Sequence, residues 1–274
     1  MQIYKDIPII AATPNKNEKA EAEHRLYELY DCSIRGNVVD WLELCVTEIK
    51  KIWAEKRLPI VVGGTGFYIN ALINGVTPVP EVNKEVRDKI NLRLQEKGLA
   101  SLYQYLLSID ERTALKIGAN DKTRITRAVE IYEYTKTTVT EWYKKPLIKK
   151  LPEANFCVVK IVPSIDEIAK RCKRRLDKMV FEQGVIKEIE TLTKRNLSDN
   201  LPAMKALGVP ELSMFVRGEK SLEEALELAK LHTRQYAKRQ RTWLRNKLPA
   251  DVIFDKAYIG QDDFIDIIKK SLNL

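Results

Sequence analysis

The stretch Pro59-Ile-Val-Val-Gly-Gly-Thr-Gly-Phe-Tyr68 constrains the fold of this chain more than any other. The apolar run Pro59–Val62 reads as a buried parallel strand. It opens into Gly63-Gly64-Thr65-Gly66 and then a helix-like segment, Phe67 to Leu72. Where a strand, a glycine turn and a helix N-terminus meet, free backbone N–H groups and the helix dipole both favour an anion. Thr65 adds a hydroxyl. Such a turn suits a phosphate, of a nucleotide or of a nucleic-acid backbone. The alternative is a tight strand-to-helix turn in which glycine supplies positive φ.

Charge narrows the partner. Among 274 residues, 47 Lys and Arg face 38 Asp and Glu, giving a net charge of +9 and a pI near 9.2. No run of about 18 apolar residues exists, so a polyanion is favoured over a membrane. A hydrophobic fraction of 45% with 31% charged residues fits a soluble globular protein. The opening Met1-Gln2-Ile3-Tyr4-Lys5-Asp6 has no basic segment leading into an apolar core, so no signal peptide is read and a cytoplasmic location is expected. Cys32, Cys45, Cys157 and Cys172 show no Cys-x-x-Cys spacing, and the histidines are only His24 and His232. Reduced thiols are expected, and no zinc site.

The chain changes character along its length. Residues 1 to about 75 alternate apolar runs with helical patterns, as α/β units do. Ile7–Ala11 and Ile60–Val62 are the candidate strands. Val38–Trp53 reads as a helix burying Val39, Leu42, Val46, Ile49 and Ile52. Thr77-Pro-Val-Pro-Glu-Val82 reads as a boundary. From Asn83 to about residue 150 the pattern is helical, with one helix capped by Ser108 and another over Asn120–Ile131. Phe156–Val162 reads as a buried strand. Helices follow over about 165–182, 184–195, 203–217 and 221–247, then a last strand, Val252–Phe254.

Two of these helices concentrate positive charge. From Leu222 onward, Leu222, Ala225, Leu226, Ala229, Ala237 and Leu244 make an apolar stripe. Lys230, Arg234, Lys238, Arg241 and Arg245 recur every three or four residues on another face. The row runs for about 22 Å without an acidic residue, which favours phosphate contact over a salt-bridged solvent face. Gln240 and Trp243 fall in the same stretch and suit an unstacked base; ordinary packing is the alternative for Trp243. In the helix from Ser164, Ile168, Cys172, Leu176 and Met179 form the buried stripe, while Lys170, Arg171, Lys173, Arg174, Arg175 and Lys178 crowd the rest. Arg174 and Arg175 read as a diphosphate clamp or as a solvated face.

Taken in order, the motifs resemble the tRNA dimethylallyltransferase family (tRNA isopentenyltransferases). The matching pieces are Met1-Gln-Ile-Tyr4, Pro59–Tyr68, Glu85-Val-Arg87, Asn120-Asp-Lys-Thr-Arg-Ile-Thr-Arg127, Arg175-Leu-Asp-Lys-Met179, Leu201-Pro-Ala-Met204 and Thr233-Arg-Gln-Tyr-Ala-Lys-Arg-Gln-Arg-Thr-Trp-Leu-Arg245. The resemblance implies transfer of a dimethylallyl group from dimethylallyl diphosphate to N6 of the adenosine at position 37 of tRNA, with Mg²⁺ accompanying the diphosphate. It implies an α/β fold: a P-loop-kinase-like parallel sheet core over residues 1–79 and 151–274, with a helical insertion domain over 80–150. It implies a monomer that binds the tRNA anticodon stem-loop and a prenyl diphosphate.

Site roles carried over by the resemblance are these. Arg175 lies on the diphosphate side, and Thr65 sits at the substrate. Met1, Gln2, Thr65 and Arg87 contact tRNA, and Arg124 and Arg127 hold the anticodon stem-loop. Lys238, Arg239, Gln240, Arg241, Thr242, Trp243, Leu244 and Arg245 bind RNA along the core. The family's P-loop, Gly-x-Thr-x-x-Gly-Lys-[Ser/Thr], does not occur among these residues, nor does the Asp-Ser pair that precedes Met-Gln and carries the general base. The first strand and P-loop are therefore expected upstream of Met1, and these residues by themselves are expected not to complete the transfer. A family remnant and a basic tRNA-binding module are the narrower readings. Two further departures are Thr123, where the family prefers Gln, and Gly208-Val-Pro-Glu211, where it has Gly-Tyr-basic-Glu.

Overall fold

A computed structural model of the chain describes residues 1–260 and 262–272. In chain order the helices are α1 (Lys16–Glu21), α2 (Val38–Ala54), α3 (Gly66–Asn74), α4 (Lys84–Ile109), α5 (Glu111–Ile117), α6 (Lys122–Thr135) and α7 (Val139–Trp142). Strand β1 (Val159–Ile161) precedes α8 (Ile165–Phe181), α9 (Val185–Lys194), a 3₁₀ turn (Ala203–Lys205), α10 (Val209–Val216) and α11 (Leu222–Lys247). Strand β2 (Val252–Phe254) and α12 (Asp262–Leu272) follow. The residues form two compact units: Met1–Leu72 with Leu151–Leu274, and Ile73–Lys150.

In the first unit, β1 and β2 pair in parallel with Val159 opposite Val252 and Ile161 opposite Phe254. The parallel pair within a helical frame makes the unit α/β. The last strand forms where the sequence places it, while the expected strand over Phe156–Val162 shortens to three residues. Behind the pair, Phe254 stacks on Phe264 of α12 with ring centroids 3.7 Å apart. The main core joins the N-terminal turns to α8–α11 through side chains such as Ile7, Leu176, Ile189, Leu212 and Ala229.

Two expected strands are absent, for different reasons. Residues 7–11 coil into a turn in which Ala11 N–H donates to the Ile7 carbonyl at 3.0 Å. The Glu188 carboxylate of α9 accepts the amides of Ile9 and Ile10 at 2.8 and 2.9 Å, taking the donors a ladder would need. Burial pushes the Glu188 carboxyl upward, against the hydrogen bonds from those amides. Residues 59–62 are not buried: Ile60 is 79% and Val62 74% exposed, and no strand among the described residues pairs with them. An apolar run supplies only one side of a ladder; the neighbour makes it a strand.

The helices follow their caps. Asn37 accepts the amides of Val39 and Asp40, fixing the start of α2, which buries Leu42, Cys45 and Ile49. The burial is centred nearer Cys45 than the expected stripe, and Val39 is exposed. Burial raises the Cys45 thiol to about 11 and the Cys32 thiol to about 12, so both are inert apolar side chains at neutral pH. Ser164 caps α8 and Ser221 caps α11. The expected single helix over 203–217 is broken by Gly208, whose φ of 93° lies in the left-handed region; its N–H donates to the Glu211 carboxylate at 2.9 Å.

In the second unit α4 packs on α6 around Leu102, Leu106, Ile125 and Val129. The long α4 is bent at Gly98, φ 73°. The cap expected of Ser108 belongs to Asp110, which accepts Thr113 N–H at 3.1 Å; Ser108 lies inside α4 and its hydroxyl donates to the Tyr105 carbonyl. Asp110 also accepts from the amide and hydroxyl of Thr140, tying α5 to α7. Although burial opposes its ionisation, these donors hold the Asp110 carboxyl below the usual carboxylate range.

Candidate nucleic-acid interface

The glycine turn does start a helix. Thr65 accepts the amides of Tyr68 and Ile69 through its carbonyl, and α3 begins at Gly66. Positive φ is not the reason for the glycines, since Gly63, Gly64 and Gly66 all lie outside that region. Clearance is. The Gln240 side-chain amide of α11 donates to the Gly64 carbonyl at 2.5 Å, and a Cβ on Gly64 would collide with it. A Cβ on Gly66 would overlap the indole ring of Trp243. The turn is thus clasped by α11, with the Thr65 side chain left exposed.

This clasp separates two faces of α11. At 3.6 residues per turn, successive side chains are about 100° apart. Gln240 and Trp243 then lie about 160° around the helix from the row Arg234, Lys238, Arg241 and Arg245. The aromatic and amide expected within the basic patch instead occupy the opposite face, packed on the turn.

The basic face is turned toward α8. Lys230 Nζ bridges Asp177 of α8 and Glu227 of its own helix, each at 2.8 Å, with its side chain only 14% exposed. Burial works against the ammonium, but the two carboxylates hold its pKa above the usual lysine range. Lys230 is therefore committed within the fold and is not a free phosphate contact. The Arg241 Nε donates to the Pro163 carbonyl at 3.0 Å, just before α8. Arg234, Lys238 and Arg245 are exposed and have no acidic partner among the described residues. Arg239 lies over the Tyr236 ring at 5.9 Å, and the Thr242 hydroxyl donates back to the Lys238 carbonyl.

Leu244 contributes its carbonyl. It accepts from Lys160 Nζ at 2.7 Å, and the Leu248 carbonyl accepts from the same ammonium. Lys160 is 7% exposed in the middle of β1, and the sequence reading missed it. A cation at a helix C-terminus meets the negative end of the dipole and the orphan carbonyls, so Lys160 fastens α11 to the sheet. Its signal in the sequence is a lone charge inside the apolar run Phe156–Val162.

On α8, Arg174 and Arg175 are both exposed and, as adjacent residues, leave the helix about 100° apart. Arg175 makes no hydrogen bond to the turn. The Gln2 side-chain amide donates to the Ala12 carbonyl at 2.7 Å, and Met1 is exposed with its carbonyl accepting Tyr4 N–H. In the second unit Arg87 pairs with Glu81 at 3.2 Å, Arg124 with Asp121 at 2.8 Å and Arg127 with Glu130 at 3.4 Å. No group of three or more His, Cys, Asp or Glu side chains among the described residues could hold a metal. Magnesium takes oxygen ligands, commonly one or two carboxylates with substrate phosphates, and the turn offers only the Thr65 hydroxyl.

The chain thus joins an α/β unit, with its exposed glycine turn and the basic face of α8 and α11, to a helical second unit. The IPP transferase family profile matches residues 2–247. The tRNA dimethylallyltransferase of Rickettsia massiliae is 34% identical over 98% of this chain and 74% of that protein. The enzyme of the same name from Rhodopseudomonas palustris strain BisB5 is 39% identical over 91% of this chain and 77% of that protein. Among solved structures, the tRNA isopentenylpyrophosphate transferase of Bacillus halodurans superposes with a TM-score of 0.68 at 30% identity, covering 99% of this chain and 84% of that one. A eukaryotic dimethylallyltransferase acting on tRNA gives a TM-score of 0.74 at 26% identity, over 89% and 61% of the two chains. The chain belongs to the IPP transferase family. No helix among the described residues is long and apolar enough to cross a membrane.

Proposed function

We propose that this chain acts in tRNA prenylation, in which a dimethylallyl group leaves its diphosphate for N6 of the adenosine at position 37. The observation that supports this most is the family match over residues 2–247, joined to a face of α8 and α11 rich in unpaired cations. Departure of diphosphate concentrates negative charge, and preorganised cations and backbone dipoles stabilise it best. The exposed Arg175 and Thr65, at the start of α3, serve that side of the reaction. Mg²⁺ accompanies the diphosphate rather than a protein cage. Arg234, Lys238, Arg239 and Arg245 hold tRNA backbone, while Gln240 and Trp243 keep α11 on the glycine turn. Met1 and Gln2 contact the tRNA from the N-terminal turns. The helical unit is the insertion domain, with Arg87, Arg124 and Arg127 directed to the anticodon stem-loop. The protein works as a monomer in the cytoplasm.

Reversing Arg241 and Arg245 together (Arg241→Glu with Arg245→Glu) is expected to weaken tRNA binding and flatten its dependence on salt. An unchanged slope contradicts the assignment of this face. Label from dimethylallyl diphosphate appearing at adenosine 37 supports the full reaction; binding without label restricts these residues to the recognition half.

A further inference from the structure

Lys170 and Lys173 of α8 and Lys230 and Arg234 of α11 converge on one cleft of about 360 Å³, with Glu227 and Leu231 also in its lining. The two helices run antiparallel here: Lys230 meets Asp177 at 2.8 Å, and Arg241 meets the Pro163 carbonyl at 3.0 Å, fourteen positions earlier in the chain than Asp177. Lys230 is neutralised by Asp177 and Glu227 and braces one end of the cleft. Lys170, Lys173 and Arg234 are exposed and make no ion pair among the described residues; Glu167, one turn before Lys170, is bonded to Arg171 and acts on Lys170 only through its charge.

We propose that this cleft binds a backbone phosphate of tRNA, at a place separate from the glycine turn and from Arg175. The proposal rests on the tRNA reading above. Four cations from two helices outnumber the two carboxylates on Lys230, Glu227 and Asp177, so the cleft keeps a net positive charge that an anion would offset. Lysine ammonium groups act as point charges, suited to a phosphate without a demand for bidentate geometry. The cleft also continues the row Arg234, Lys238, Arg241 and Arg245, whose members follow each other at about 5–6 Å along the helix. One polyanionic strand can therefore touch both. Arg175 is excluded from the cleft, because five positions along α8 place it about 140° around the helix from Lys170.

The test is Lys170→Glu with Lys173→Glu in the full chain, titrated with tRNA at several KCl concentrations. The expected result is binding weakened about tenfold or more at 0.1 M salt, with the salt slope reduced by about 0.7–0.9 for each phosphate that is no longer neutralised. Lys170→Gln with Lys173→Gln should give an intermediate weakening, and an unchanged far-ultraviolet spectrum shows that the fold is intact. A variant that binds tRNA as the wild type does, with the same slope, overturns the cleft alone. Wild-type chain that fails to bind tRNA overturns the cleft and the functional reading together. Unchanged tRNA affinity with abolished binding of inorganic tripolyphosphate assigns the cleft to a free anion and also overturns the proposal.

Discussion

Helix α6 and the α8–α11 face look alike as strings of letters, since both carry basic residues at helical spacing; as structures they differ. On α6, Arg124 and Arg127 are each tied to a carboxylate three positions away, Asp121 and Glu130. On α8 and α11, Lys170, Lys173, Arg234, Lys238 and Arg245 make no ion pair among the described residues, the nearby Glu167 being bonded to Arg171. A cation already paired offers a polyanion little new Coulomb energy, because its acid must be displaced or carried along. An unpaired one releases a counterion for each phosphate it meets. Availability, rather than the number of basic residues, therefore ranks the two regions.

The largest effect is expected from removing what holds the α11 face in place. In Gly66→Ala the new Cβ overlaps the Trp243 ring, and the overpacking should cost about 1–3 kcal/mol in a urea melt. Since φ is not the constraint there, Gly66→Ala should cost less in a Trp243→Ala background than in the wild type. An equal cost in both backgrounds would show that clearance is not why the residue is glycine.

Next come two equal charge changes. Arg234→Glu with Lys238→Glu should weaken tRNA binding by about 10²-fold at low salt, while Arg124→Glu with Arg127→Glu should cost several times less on a logarithmic scale. Equal effects would erase the distinction between the regions. Asp177→Asn should act in the opposite direction. Freed from one carboxylate, Lys230 adds cationic character, tightening tRNA about two- to threefold and steepening the slope, at a stability cost of about 1 kcal/mol.

The smallest effect is an acid-limb control outside both regions. Arg195 Nη1 and Nη2 donate to Asp6 and Asp31 at 2.8 and 2.6 Å. Arg195, with the Ser33 hydroxyl, holds the Asp31 carboxyl well below its ordinary value of 3.8. A depressed native pKa means stability present above about pH 4 and lost as pH falls toward the native value. Arg195→Gln should flatten that limb of the urea midpoint against pH and leave the slope of tRNA binding unchanged.

Much of the helical frame was legible in the sequence. The helices expected from Ser164 and over 221–247 form as α8 and α11, and of the stripe Ile168, Cys172, Leu176 and Met179 the last two are buried and the first two half-buried. The pairs on α6 were legible too, because Asp121 and Glu130 stand within one turn of the arginines. Other features depend on partners remote in sequence. The turn at residues 7–11 is decided by Glu188, the neutralisation of Lys230 by Asp177, and the end of α11 by Lys160. Single-sequence periodicity cannot count such partners. The split between Gln240 with Trp243 and the arginines is an intermediate case. The helical angle was available, but the turn that claims one face was not. For Pro59–Val62, composition supplied strand character, and a ladder requires a neighbour that composition does not supply.

The most direct measurement is an amine-acylation footprint of the full chain with and without saturating tRNA. The account predicts that labelling of Lys170, Lys173 and Lys238 falls on binding, while Lys230, already held by Asp177 and Glu227, reacts slowly in both states. Equal labelling of Lys170, Lys173 and Lys238 with and without tRNA would contradict it.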